Sequence, residues 1–365
     1  MAYTAIDDPT DYFRTKLYNG NNNAQNIAWD ETDTTMDPDW MWIKSRTGNT
    51  VFGHVIGDSV RGGGKYQRVD TDAAEVSNNN VIVSFNSNGF SVGGATFVSE
   101  GSRTYVAWGW IANAAFSNDA SSTSIGSVDS SGTTGPKQGL SIVKWTGNNT
   151  AGATIAHGLG TTPNALIIKN RTDGGSSNWA VWHDKSFVSA SDPNILYLDT
   201  DAATADDTNV RHTTVTTNST VFSIGNYNGT NGNNDEIIAY CFAAKPGYSK
   251  FGKYKGTGAV PGPYVYTGFK PAWVMLKDSA SDGWGIFDSK RSPNNPVTKI
   301  LQAQGAGAES TSGGADHVNF YSNGFQVCTG GENGNFINED GNNFIYFAFA
   351  ESPFVNSKGL PNNAR

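Results

Sequence analysis

The chain has 365 residues, of which 37% are hydrophobic and only 16% charged, and its formal net charge is −8. This balance excludes a disordered chain, because the apolar residues suffice for packed cores, and an acidic chain without a dense basic cluster is not expected to bind nucleic acid. The longest apolar run, residues 344–350, is too short to span a membrane, and the N-terminus lacks a secretory signal, so we expect a soluble protein made in a cytoplasm.

From the N-terminus onward, one phrase of a Pro, an apolar run and a Lys occurs three times. It lies at residues 38–44, 163–169 and 271–277. Further markers follow in the same order: residues 70–74 and 199–203 are identical, and each copy closes on an aromatic segment. These closing segments are residues 105–110, 237–242 and 345–349.

A repeat of about 100–125 residues has the size of a whole domain and is too long for a solenoid unit. We therefore predict three tandem modules. They are residues 10–116 (module 1), 138–246 (module 2) and 250–356 (module 3), with a Ser/Gly-rich linker or loop at 117–137 and a C-terminal tail at 357–365.

The local patterns predict an all-β fold of antiparallel β-sandwiches. Asn88-Gly89 stands between the apolar runs 81–85 and 90–92, which is typical of a hairpin, and 322–325 repeats the turn. The continuous apolar runs 166–168 and 274–276 predict strands that are buried on both faces. No segment keeps a helical period over a useful length.

No catalytic motif is present, and the polar repeats favour structure over chemistry. The five histidines, which a built-in metal or catalytic site would place at matching positions, do not recur in all three copies: His54, His157, His183, His212 and His317. Asp58 and Arg61 match Asp288 and Arg291, and this spacing predicts an ion pair that braces a loop. We therefore do not expect an enzyme.

Two turns rich in Asn, Asp and Gly precede aromatic strands, at residues 231–236 and 338–343. A hairpin turn explains them, but their oxygen-rich side chains leave calcium open as an alternative, and no other cofactor is predicted. Cys241 and Cys328 are expected as buried free thiols, because Cys241 occupies a strand position where the other copies carry Gly109 and Ala348.

Aromatic residues are the remaining binding candidates. Trp145, Trp182 and Trp284 are predicted either to stack on a glycan or fill an interface, or to lie in the core, as their strand positions favour.

Several longer phrases resemble a module of structural proteins from marine bacteriophages, including cyanophages. They are residues 11–13, 43–46, 58–62, 105–108, 247–252, 262–269, 348–354 and 363–365. The resemblance extends over nearly the whole chain. It implies a virion component with concanavalin-like or jelly-roll-like sandwich modules, of the lectin or laminin-G type, and it carries over no catalytic residues.

This resemblance implies a virion surface protein, most directly a tail fibre or a tail-associated host-attachment protein that binds a receptor or glycan. Linked weak sites gain avidity, which suits glycan recognition. The alternatives are a head decoration, knob or tail adaptor protein and, second, a polysaccharide depolymerase. Expected partners are other virion proteins, a host-surface glycan or receptor, and further copies of the chain in a homo-oligomer. Membrane insertion is not expected.

Overall fold

The computed structural model describes residues 4–48, 52–175, 177–186, 194–211, 217–311, 316–329 and 337–362. His212 and the phrase 363–365 lie outside these ranges. The protein is mostly β-structure, with four short helical segments among the described residues: a 3-10 helix at Pro9–Asp11, α1 at Thr96–Ser99, α2 at Ala120–Thr123 and α3 at Asn228–Asn231. None of the helices described is long and apolar enough to cross a membrane.

The strands follow the three sequence repeats. Module 1 contains β1 (Phe13–Asn19), β2 (Gln25–Ala28), β3 (Trp40–Ser45), β4 (Val55–Asp58), β5 (Lys65–Arg68), β6 (Val76–Ser77), β7 (Ile82–Asn86), β8 (Gly89–Val92) and β9 (Thr104–Trp110). Next come β10 (Ala114–Asn118), β11 (Ser130–Gly135), β12 (Leu140–Thr146), β13 (Ala153–Ala156), β14 (Ala165–Asn170), β15 (Ala180–His183), β16 (Ile195–Tyr197), β17 (Val221–Ile224) and β18 (Glu236–Phe242). Module 3 contains β19 (Ser249–Lys255), β20 (Tyr264–Tyr266), β21 (Phe269–Asp278), β22 (Trp284–Asp288), β23 (Lys299–Gln302), β24 (Ser310–Thr311), β25 (Asp316–Tyr321), β26 (Gly324–Thr329) and β27 (Asn343–Pro353).

Each module contributes one large and one small antiparallel sheet. The large sheets have the strand orders β1-β9-β3-β4-β5-β6, β10-β11-β12-β18-β14-β15-β16 and β19-β27-β21-β22-β23-β24. The small sheets are β2-β8-β7, β13-β17 and β20-β26-β25. Equivalent strands occupy equivalent places, so the repeat in the sequence is also a repeat in topology. The predicted hairpins are confirmed, because Asn86 pairs with Gly89 and Tyr321 pairs with Gly324.

The segment 117–137, predicted as a linker or loop, instead adds strands to a sheet. The end of β10 and all of β11 lie in it, and β11 pairs with both β10 and β12 in the second large sheet. Its Ser, Gly and Thr residues are typical of a loop, yet most residues of β11 are buried within the sheet. Because β11 precedes β12 in the chain and pairs with it, the backbone groups on that side of β12 are hydrogen-bonded and do not form an open sheet edge.

The closing strand of each repeat faces two different cores. In β18, Ile238 and Tyr240 point to a core shared by all three modules, whereas Ala239 and Cys241 point to the core of module 2 alone. Successive side chains of a strand alternate between faces, so a strand buried on both sides reads as a continuous apolar run. The prediction of strands buried on both faces is confirmed for the runs 166–168 and 274–276, because their residues also alternate between the shared core and the core of their own module.

The shared core, called here the central core, lies where the three large sheets meet. Aromatic rings cross each boundary: the ring centroids of Trp40 and Tyr240 are 4.8 Å apart, those of Trp110 and Trp273 are 5.7 Å apart, and those of Phe242 and Phe347 are 6.1 Å apart. Modules 1, 2 and 3 therefore each touch the other two through buried aromatic side chains.

The predicted need for a small residue at the Cys241 position has a steric cause. Met41 pairs with Gly109, Leu166 with Cys241 and Val274 with Ala348, so these three residues are equivalent. A Cβ on Gly109 would lie 2.6 Å from the Trp29 ring. Cys241 and Cys328 are free and buried as predicted, and burial raises the pKa of both thiols.

The tail predicted at 357–365 meets the other end of the chain. Asp7 accepts hydrogen bonds from the backbone and hydroxyl of Ser357, at 2.6 and 2.5 Å. Thr4 donates to the carbonyl of Pro246, 2.8 Å away, between modules 2 and 3. These contacts fasten the segment before module 1 to the segments around module 3.

Candidate functional site

The three tryptophans selected from the sequence lie in cores. Trp182 is 5% exposed and Trp284 is fully buried, where its indole nitrogen donates to the carbonyl of Tyr197 at 2.8 Å. Trp145 is 3% exposed and packs on Phe222, although its edge borders a polar cleft of about 310 Å³. None of the three presents a ring face on which a sugar could stack.

The predicted Asp–Arg pairs are confirmed, and each one also contacts a neighbouring module. Arg61 Nε donates to Asp58 at 2.6 Å, and the hydroxyl of Tyr240 in module 2 donates to the same carboxylate at 2.8 Å. Arg291 pairs with Asp288, which accepts the indole N–H of Trp108 in module 1 at 3.2 Å. The pairs therefore hold modules together as well as bracing loops.

A second set of equivalent bonds runs around the three modules in one direction. Trp179 in module 2 donates to the carbonyl of Arg68 in module 1, 2.9 Å away. Trp284 in module 3 donates to Tyr197 in module 2 at 2.8 Å. His54 in module 1 lies 2.9 Å from the carbonyl of Gln302 in module 3. Head-to-tail contacts that return to their starting point form a closed ring.

The Lys that ends each repeated phrase is buried at the same place in this ring. Lys44 donates to Ala306 in module 3 at 3.0 Å, and Lys169 donates to Asp72 in module 1 at 2.9 Å. Lys277 donates to two carbonyls of its own module, Asp278 at 2.7 Å and Ala280 at 2.8 Å. Lys44 and Lys169 also donate to a carbonyl of their own module, so each ammonium has two carbonyl partners, which a neutral amine with two N–H groups can also satisfy.

These buried ammonium groups predict a pH dependence of stability. Burial lowers the pKa of Lys44, Lys169 and Lys277 from 10.5 to about 8. Between these pH values the unfolded chain binds more protons than the folded protein, so stability rises with pH in that window. We expect the urea midpoint to increase from about pH 8 to about pH 9.5, below the range where tyrosines ionise in the unfolded chain.

The variant Lys169→Met should flatten this increase, because it removes one of the three titrating groups. Urea unfolding at a series of pH values measures the slope, and Lys255→Met at an exposed position is the control. An unchanged slope in Lys169→Met would contradict the assignment.

Two of the three boundaries contain a charged cluster that joins modules. Between modules 1 and 2, Arg171 binds Glu75 through two bonds of 2.8 and 3.1 Å, and Arg61 and Lys65 lie 3.4 and 3.6 Å from the same carboxylate. Between modules 3 and 1, Glu309 is held in the same way. Its partners are Arg46 at 2.9 Å, Arg291 at 3.3 Å and Lys299 at 3.7 Å.

Burial alone would raise the pKa of both carboxyls, Glu75 and Glu309. Hydrogen bonds from Arg171 and Arg46 and the attraction of further Arg side chains outweigh burial and lower the pKa of each. Both Glu side chains are therefore anionic at neutral pH, and each neutralises buried guanidinium groups.

The third boundary, between modules 2 and 3, has lost this cluster. The backbone N–H of Thr204 donates to the backbone carbonyl of Ser279 at 3.0 Å. The backbone N–H groups of Glu75 and Glu309 donate in the same way to the backbone carbonyls of Arg171 and Arg46. When the strands of the three modules are aligned, an uncharged residue occupies every position of the cluster at this boundary. Ser186 occupies the position of Arg61 and Arg291, and Asn194 occupies the position of Lys65 and Lys299. Thr204 occupies the position of Glu75 and Glu309, and Ser279 occupies the position of Arg171 and Arg46.

A cavity of about 440 Å³ occupies this third boundary. Its wall contains all four substituted residues together with the apolar side chains of Leu196 and Ile345. The other lining residues are Lys185, Asp206, Lys253 and Asn343. This volume lies within the range of sites for small molecules. The cavity is therefore the strongest candidate site in the described part of the chain.

His183, the counterpart of Asp58 and Asp288, lies beside this cavity without lining it. Its Nε2 is 3.3 Å from the carbonyl of Tyr346, and its Nδ1 accepts from the backbone of Lys185 at 3.1 Å. Burial lowers the pKa of His183 to about 4, so the ring is neutral at pH 7. No charged pair corresponding to Asp58–Arg61 forms among the described residues of module 2 at this position.

The two oxygen-rich turns connect sheets rather than forming the hairpins suggested by their sequence, because β17 and β18, like β26 and β27, belong to different sheets. Beside the second turn, carboxylate oxygens of Glu339, of Asp278 at the end of β21 and of Asp282 lie within 4.8 Å of one another, a spacing that could hold a metal ion. The amide of Asn342 already donates to Asp278 and Glu339 at 2.9 Å each, which favours a self-contained cluster. Calcium stays a prediction.

One difference between the repeats in the sequence marks the position of the cavity. Residues 70–74 and 199–203 are identical, and the next residue changes from Glu75 to Thr204. A difference that directly follows an identical stretch indicates that module 2 lacks a carboxylate that module 1 has at the equivalent position. Its partners, Arg171 and Ser279, are distant in sequence and could be paired with it only in the folded protein.

Comparison with known proteins gives a family but no function. No curated protein and no solved structure matches the chain. One family matches residues 8–353, a range that contains every strand from β1 to β27. The chain therefore belongs to the family described as a domain of unknown function, DUF7483.

Proposed function

We propose that this chain is a bacteriophage virion protein that acts by binding and assembly, most directly as a tail fibre or tail-associated host-attachment protein. The phrases that resemble marine phage structural proteins support the virion assignment, and they lie in modules 1 and 3, at the junction of modules 2 and 3, and at the C-terminus. Several of them coincide with the ring: 43–46 contains Lys44 and Arg46, and 58–62 contains the Asp58–Arg61 pair.

The observation that carries the proposal is the shared central core. Three sheets with independent cores could move relative to one another, but here Trp40, Tyr240 and Phe347 belong to a single buried cluster. One chain thus forms a rigid ring with an approximate threefold arrangement. Tail fibres are usually trimers, and such a ring offers three similar faces to a threefold partner.

In this proposal each module is a two-sheet sandwich of the concanavalin or jelly-roll type. The module cores support this, because in module 1 the Phe90 side chain of the small sheet and Tyr105 of the large sheet belong to one cluster. A sandwich presents loops at its ends, where binding residues can vary without disturbing the core.

Immunogold labelling of intact virions with antibody against the purified chain tests the proposal. We expect label at the tail tip or along the fibres, and antibody absorbed beforehand with the purified protein is the control. Label over the head shell would instead make the chain a decoration protein. Particles that carry no label, although the same antibody detects the chain in infected cells, would overturn the virion assignment.

A further inference from the structure

The cavity between modules 2 and 3 lies where each of the other two boundaries has a charged cluster. Both of those boundaries place a Glu carboxylate, Glu75 or Glu309, among two Arg and one Lys. At the third boundary the ring closes with the same backbone bond, from Thr204 to Ser279, but the charged side chains are absent and space remains.

Two polar atoms at the wall of this space lack partners. The Nδ2 of Asn194 and the hydroxyl of Thr204 are buried, and neither has a hydrogen-bond partner within the described ranges. Asn194 is 3% exposed as a whole residue. A buried donor without an acceptor is costly, so such groups in a folded protein point to a bound molecule that completes them.

We propose that this cavity binds a small carboxylate-bearing molecule of about the size of a sugar acid. The carboxylate would replace the one that Glu75 and Glu309 supply elsewhere in the ring. The cavity offers it the orphaned amide of Asn194 and the ammonium groups of Lys185 and Lys253. The site does not depend on where the chain resides in a particle.

The other residues of the cavity wall indicate which kind of carbon skeleton the carboxylate of the ligand belongs to. Leu196 and Ile345 form an apolar surface suited to a carbon skeleton, whereas Asp206 and the hydroxyl of Ser279 can bond to hydroxyl groups. Lys185 already pairs with Asp184 at 2.9 Å, which leaves Lys253, on an exposed part of β19, as the cation with the greatest freedom to meet a ligand. A uronic acid combines all of these features.

Binding to the full chain can be measured by calorimetry with glucuronate, glucose and acetate as probes. We expect glucuronate to bind at least roughly tenfold more tightly than either glucose or acetate, because only glucuronate has both the carboxylate and the hydroxyl-bearing skeleton. Equal binding of glucose would overturn the carboxylate assignment, equal binding of acetate would overturn the sugar-sized skeleton, and no binding of glucuronate would overturn the site.

Two variants test whether glucuronate binds in this cavity. The double variant Thr204→Glu/Ser279→Arg copies the other boundaries into this one, so it should fill the cavity and abolish glucuronate binding without lowering the unfolding temperature. Lys253→Glu leaves the interior untouched and should weaken binding roughly tenfold or more through repulsion of the carboxylate. Unchanged affinity in Lys253→Glu, whose exposed position preserves the fold, would place the ligand elsewhere, and Lys255→Glu on the same strand is the matched control.

Discussion

Replacing Trp40 by Ala should lower the free energy of unfolding by about 3–5 kcal/mol, the usual cost of removing a large buried aromatic side chain. Trp40 is 2% exposed, and its ring lies 4.4 Å from Trp110, 4.8 Å from Tyr240 and 5.5 Å from Phe242, measured between centroids. Because two of these neighbours belong to module 2, the loss should be felt in both modules.

Calorimetry of the whole chain is the decisive measurement for Trp40→Ala. If the central core makes the three modules one cooperative unit, the protein unfolds in a single transition, and the variant shifts all of it to lower temperature. Leu360→Ala, at a residue that is 58% exposed, is the control and should change stability by less than about 0.5 kcal/mol. Separate transitions, with only one moved by Trp40→Ala, would show that the modules unfold independently.

Strands with a local signal could be predicted from the sequence, whereas β11, which is made of Ser, Gly and Thr, could not. Asn88-Gly89 specifies a turn, and an unbroken apolar run such as 166–168 specifies a strand without a solvent face. The same run did not reveal what covers the second face. The core of module 2 accounts for one side of β14, and only the folded protein shows that its Ile167 side lies against the other modules.

Most of the candidate site could not be predicted, because it consists of what one module lacks. Trp145, Trp182 and Trp284 were attractive as large aromatics, yet large aromatics in strands are most often core residues, as these are. Ser186, Asn194 and Ser279 carry no chemical signal by themselves. Their meaning comes from comparison with Arg291, Lys299 and Arg46 at the equivalent boundary, which requires the ring to be known.

Replacing Asp288 by Ala should lower the free energy of unfolding by about 3–5 kcal/mol, because the buried Arg291 guanidinium then lacks its paired carboxylate. Asp288 and Arg291 are both buried, and their side chains form the ion pair at the boundary between modules 3 and 1. Without the carboxylate, the Arg291 guanidinium keeps the carbonyl of Ile286 at 2.8 Å and the more distant Glu309 at 3.3 Å. The indole N–H of Trp108 also loses its acceptor.

Urea unfolding of two further variants separates a stranded charge from a simple loss of contacts. Asp288→Leu/Arg291→Met removes both charges and retains volume, so it should be less destabilising than Asp288→Ala alone. Lys16→Ala breaks the more exposed pair with Asp30 and should cost less than about 1 kcal/mol. If Asp288→Ala proved as mild as Lys16→Ala, the pair would contribute little to the boundary. If the double variant proved the more destabilising, hydrogen bonding by Asp288 and Arg291 would outweigh the cost of their burial. The boundary around Ser186, which lacks such a pair among the described residues, would then be the weakest of the three.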